Sequence, residues 1–118
     1  MAAAKWYRGW IAVGGECRVM ASTGGMPWVL AADPAEFPDR ANDAKSFNWG
    51  VPSRATYVLA RTLLVDALGR EAADRLDTGQ FMAEVLVHFA KGPDWQLNTN
   101  QIARWAESTP SKTSEVAE

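Results

Sequence analysis

One histidine, one cysteine and fourteen carboxylates are what this 118-residue chain has for bond-making or metal binding. A nucleophile needs a base beside it, and His88 is the single imidazole. It falls four residues after Glu84, on an apolar stripe with Phe81, Val85 and Phe89, so it reads as a packed residue and not as a general base. Cys17 lies between Glu16 and Arg18 in a strand-like run and reads as a small buried hydrophobe. A structural zinc site takes four Cys or His ligands, so no metal and no other cofactor is expected. The lone cysteine excludes an intrachain disulfide and fits a reducing compartment. Phosphate-loop, dinucleotide, nucleophile-elbow and zinc-protease spacings are missing, which argues against an enzyme.

The carboxylates Asp33, Glu36, Asp39 and Asp43 cluster in a polar segment. Solvated charge at that density suits electrostatic contact with a partner protein better than an acid/base pair. Aromatic chemistry is richer. Trp6, Trp10, Trp28, Trp49, Trp95 and Trp105 are many for a small domain, and tryptophan both fills cores and anchors interfaces. Trp49 and Trp105 are expected in the core, and Trp10 and Trp28 are candidate anchors. Trp6 and Trp10 point one way along a strand and Tyr7 the other, so an aromatic must reach a surface or a second layer. Trp6, Arg8, Trp10 and Arg18, with Lys5 nearby, also form the pattern that stacks unpaired bases. The competing reading is a half-buried hairpin with its arginines in solvent. A net charge of −2 favours the latter, and direct nucleic-acid binding is not expected.

These residues need elements to position them. "KWYRGWIAV" and "ECRVMA" read as strands joined through Gly14-Gly15, with an edge strand at "MPWVLA". Residues 31–46 read as a surface connection long enough to hide a helical turn. Ser53 caps a helix from Arg54 whose apolar positions Val58, Leu59, Leu63, Leu64, Ala67 and Leu68 recur at helical spacing, and Gly69 stops it. "REAADRL" reads as a short helix. Asp77 or Thr78 caps another over "QFMAEVLVHFA", which Gly92-Pro93 ends. A brief extended piece then leads to a last helix capped at Thr99, with Ile102 and Trp105 inward. The expected class is α+β: a small N-terminal antiparallel sheet against three to four C-terminal helices. Residues 1–108 form a single domain, and 109–118 a disordered polar tail. No stretch reaches membrane-spanning length, so a cytoplasmic protein is expected.

Phe47, Trp49 and Gly50, followed by Leu59, Ala60, Leu63, Leu64, Asp66 and Leu68-Gly69, resemble a small uncharacterised domain family. The family is spread through bacterial, plasmid and phage genomes and carries an aromatic-x-Trp-Gly signature before a Leu/Ala-rich helix. "FMAEVLVHFAKGPDWQLNTNQIARWAE" resembles its second half, and Tyr7-Arg8-Gly9 its start. The resemblance implies an α+β fold in a mobile-element setting and carries no assigned activity. Relatives hold a glycine- and proline-rich segment after Trp-Gly. Here Val51, Pro52, Ser53, Arg54, Ala55 and Thr56 stand there, so an anion cradle at Trp49-Gly50 is not expected, while an enzyme or small-ligand sensor built around that turn stays open as a third reading. The function expected is that of a non-catalytic protein-binding protein, encoded by a phage or other mobile element, that blocks a host complex. An anti-CRISPR-type inhibitor of bacterial immunity is its most concrete form. The alternative is a small single-stranded nucleic-acid-binding module using the N-terminal hairpin.

Overall fold

The computed structural model describes residues 4–40, 42, 46–89 and 94–109. Its four-stranded sheet is antiparallel throughout and ordered β3-β2-β1-β4, from β1 (Trp6–Ile11), β2 (Cys17–Ser22), β3 (Trp28–Val29) and β4 (Trp95–Asn98). The β1–β2 hairpin closes through Gly15 at φ 89, a left-handed conformation that suits glycine. Its ends are tied by the Ala12 and Gly15 amides, which donate to the Glu16 and Ala12 carbonyls at 2.8 Å. The register sets Tyr7 opposite Ala21 and Gly9 opposite Val19, all buried, while Trp6, Arg8 and Trp10 alternate to the other face.

Four helices follow, α1 (Arg54–Leu68), α2 (Arg70–Asp74), α3 (Thr78–Glu84) and α4 (Thr99–Ser108). Ser53 caps α1 by accepting from the Thr56 amide, and Gly69 ends it at φ 93 with its N–H on the Val65 carbonyl. Between them Thr56, Val58, Leu59, Ala60, Leu63 and Leu64 are buried, a face wide enough to meet α2, α3 and α4. The Tyr7 phenol reaches across to donate to Asp66 Oδ2 at 2.7 Å, and Lys5 Nζ pairs with the same oxygen at 2.9 Å. Burial, and then the carboxylate accepting its proton, push the Tyr7 hydroxyl well above the ordinary tyrosine range.

Three expectations need correction. The helix over "QFMAEVLVHFA" stops at Glu84 and continues as a 3-10 turn, Leu86–His88, which leaves His88 exposed and off the apolar stripe. The cause is tertiary: the Leu86 carbonyl accepts the Gly50 amide at 2.9 Å, and β-branched Val85 and Val87 offer the helix little support. The last helix is capped by Asn98 and not Thr99, through a reciprocal capping box with Gln101. Trp105 is only partly buried, its indole N–H donating to Glu84 Oε1 at 2.8 Å while its ring meets Phe81 edge-on. The Gly92-Pro93 stop and residues 110–118 of the expected tail lie outside the described residues.

Trp95 ties the sheet to the segments just before α1 and just after the 3-10 turn. Its ring stacks on Phe89 at 4.9 Å and meets Trp49 edge-on at 5.4 Å. Its other flank lies so close to Gly9 that a Cβ there would sit 2.2 Å from the indole nitrogen. Gly9→Ala should therefore lower unfolding free energy by about 1–3 kcal/mol in urea titrations, as overpacking against a rigid ring does. An unchanged midpoint would mean that Trp95 does not rest on β1.

Candidate recognition surface

The acidic segment turns out to be wired to the helices. Asp33 pairs with Arg70 at 3.2 Å, Glu36 with Arg61 at 2.8 Å and Arg70 at 2.9 Å, and Asp39 with Arg54 at 3.2 Å. Leu30, Ala32 and Phe37 are buried along the same stretch, and a 3-10 turn at Pro38–Arg40 follows them. The connection is thus a strap across α1, with apolar teeth and guanidinium clasps. Arg61 has a side chain only 12% exposed and is also gripped by Asp74 at 2.6 Å. Hydrogen bonds from Arg61, opposed by partial burial, hold the Glu36 carboxyl below the ordinary glutamate range, and the Arg54 hydrogen bond does the same for Asp39. Asp43 lies outside the described residues.

The two candidate anchors are not brought together. Trp28 pairs with Ala21, which faces the helices, so its ring lies at the sheet's edge on that side with Lys5 Nζ 5.8 Å from its centre. Trp10 pairs with Arg18 on the opposite, open face. The open face instead assembles Trp6, Arg8, Trp10 and Arg18, the hairpin set named from the sequence, and adds Met20 opposite Arg8 on one side and Gln96 on the other. Met20 could have been found by extending the Gly14-Gly15 hairpin register. Gln96 could not, since nothing local indicates that β4 joins β1.

Trp6 is 47% exposed on this face. A cleft of about 400 Å³ is lined by Trp6, Arg8, Met20, Ser22, Pro27 and Gln96 among others. A second, of about 220 Å³, is lined by Arg8, Trp10, Met20 and Asp94. Arg8 Nη2 meets Asp94 Oδ2 at 2.8 Å, and Arg18 Nη2 meets Glu16 Oε1 at 3.4 Å, so local charge is nearly balanced. The Trp49-Gly50 turn has a different role. Trp49 is fully buried, and the Gly50 amide is engaged by Leu86. Cys17 is buried and its thiol approaches Asn48 Oδ1 at 3.6 Å. Among the described residues no three His, Cys, Asp or Glu side chains are grouped to hold a metal ion, and no helix is long and apolar enough to cross a membrane.

The strap makes a pH prediction. Glu36 titrates lower in the folded chain than unfolded, so its stabilisation is complete above the ordinary value of about 4.3 and drains as pH falls through the folded value. Glu36→Gln should cost about 1–2 kcal/mol at neutral pH, between the ranges for exposed and buried pairs, and should flatten the acid limb of the stability profile. An acid limb identical to wild type would show that the pair does not form.

No curated protein and no solved structure matches the chain. One family model does, over residues 7–108, which spans the sheet, the strap and all four helices. The chain belongs to that family, described as a family of unknown function (DUF6166).

Proposed function

We propose that this chain is a non-catalytic protein-binding domain that docks on a host complex through the open face of its sheet. The observation that carries the reading is the exposure there of Trp6 beside Trp10, Met20, Arg8 and Arg18. Tryptophan, methionine and arginine are the types enriched at interfaces, and tryptophan and arginine dominate measured binding energies. Asp33, Glu36 and Asp39, three of the acids expected to make electrostatic contact, have internal partners in Arg70, Arg61 and Arg54, which offset their field at short range. Their part in docking becomes indirect, through the strap that they fasten.

The narrower form of the proposal is a phage- or mobile-element-encoded inhibitor acting in the host cytoplasm against a nucleic-acid-processing defence complex, as anti-CRISPR proteins do. Its support is the mobile-element setting of the resembling domains. Blocking such a complex requires only a shaped surface with affinity for it.

Affinity capture from a bacterial lysate tests the general form. Trp10→Ala should reduce the captured partner about tenfold or more, as loss of an anchor does, while Asp39→Asn leaves it unchanged. The reverse pattern would return docking to the acidic strap. For the narrower form, expressing the chain in a bacterium that carries a CRISPR system should restore plaques of a targeted phage. Full immunity in the presence of the folded protein would refute it.

A further inference from the structure

We infer that two copies of this chain pair through the outer edge of β3, about a two-fold axis beside Val29, and that the pair presents both open faces side by side. The pairing stands on the strand register, whereas its use rests on the reading of the open face as the recognition surface.

The register fixes which backbone groups face outward. Trp28 pairs with Ala21 and Val29 with Met20, and the Leu30 amide donates to the Val19 carbonyl at 2.8 Å. Residues that bond to the neighbouring strand alternate along an antiparallel pair, so with Leu30 turned toward β2 the N–H and C=O of Val29 point away from the sheet. Neither takes a hydrogen bond among the described residues. Natural edges are commonly guarded by charge. From Val19 to Ala32 this chain carries none, and Trp28 and Val29 are 41% and 39% exposed on opposite faces of the strand. The sheet's other edge is guarded: the Asn98 amide of β4 is taken by Gln101 Oε1 at 2.8 Å as α4 begins, and charged Asp94 precedes the strand.

A second copy is the occupant that fits so short an edge. Pro27 has no donor to offer on one side of Val29, and on the other Leu30 and Ala32 are buried as the strap begins. The open edge is therefore centred on one residue. A two-fold axis set there lets Val29 of each copy exchange both N–H···O bonds with Val29 of the other, sets the two valine side chains in contact and brings no charges together. Such an axis stands perpendicular to the sheet, so both open faces end on the same side. Four strands about 4.8 Å apart, at most six residues long at about 3.4 Å each, offer about 400 Å², half the roughly 800 Å² per partner of a standard interface. Two joined faces reach that size, with Trp6 and Trp10 of both copies on one surface.

The test is sedimentation equilibrium of the purified full chain from micromolar to millimolar concentration. The mean mass should rise from one chain toward two. Val29→Lys, which forces like charges together across the axis, should weaken pairing about tenfold or more, while Val29→Thr, which keeps the β-branch, should pair as wild type does. Val29 is at the surface, so both variants should fold, which circular dichroism checks. Residues paired in this way stand about 5.5 Å apart at Cα, within disulfide reach. Oxidised glutathione should therefore join Val29→Cys chains into a covalent dimer, and Val13→Cys chains, altered at the fully exposed hairpin tip, far more slowly. A chain that stays single at every concentration, a dimer indifferent to Val29→Lys, or equal cross-linking of the two cysteine variants would each overturn the inference. A single chain that still shows Trp10-dependent capture from lysate would overturn pairing and leave docking intact. A Val29-dependent dimer without such capture would uphold pairing and remove docking.

Discussion

The hydrogen bond from Tyr7 to Asp66 ties the buried face of β1 to α1, within the core that Tyr7, Val19 and Ala21 share with the helices. A strand's side chains alternate strictly, so a slip of one residue in β1 would expose Tyr7 and bury Trp6, Arg8 and Trp10. Three contacts hold the correct setting. The phenol and Lys5 Nζ converge on one carboxylate oxygen of α1, and the absence of a side chain at Gly9 lets the Trp95 ring lie against the strand. Breaking the first would leave a buried hydroxyl without its acceptor, a cost of about 1–3 kcal/mol. With β1 so fixed, the exposure of Trp6 on the open face follows from the same pleat that buries Tyr7.

The opposite side of the molecule uses charge differently. Its strap runs from β3 to the 3-10 turn at Pro38–Arg40, fastened by three arginines spaced along α1 and α2. Single exposed pairs contribute little, but Arg61 is largely enclosed and shared between Glu36 and Asp74, so removal of one partner is felt by the others. The strap acids are thus kept apart from Trp6 and Trp10, beside which Asp94 and Glu16 answer Arg8 and Arg18 instead. The acids secure the strap, and the tryptophans are left to solvent on the far face of the sheet.

The local parts of this arrangement were legible in the sequence. The hairpin, the Ser53 cap, the Gly69 stop and the opposed directions of Trp6 and Tyr7 each depend on residues within a few positions of one another. What escaped depends on distance along the chain. Asp39 meets Arg54 fifteen positions on, Glu36 meets Arg61 after twenty-five and Asp33 meets Arg70 after thirty-seven, so acids that look solvated in a window prove to be paired. The same holds for β4, whose place beside β1 brings Gln96 and Asp94 to the open face. Helical periodicity through Val85 and His88 misled because a single long-range acceptor, the Leu86 carbonyl, overrode it.

Oxidative footprinting of tryptophan, in the free chain and in the complex captured from lysate, tests the orientation of recognition most directly. Trp6 and Trp10 should react in the free chain and become protected in the complex, while Trp28, on the helix side of the sheet, keeps its reactivity. Protection of Trp28 with Trp6 and Trp10 still reactive would contradict recognition through the open face.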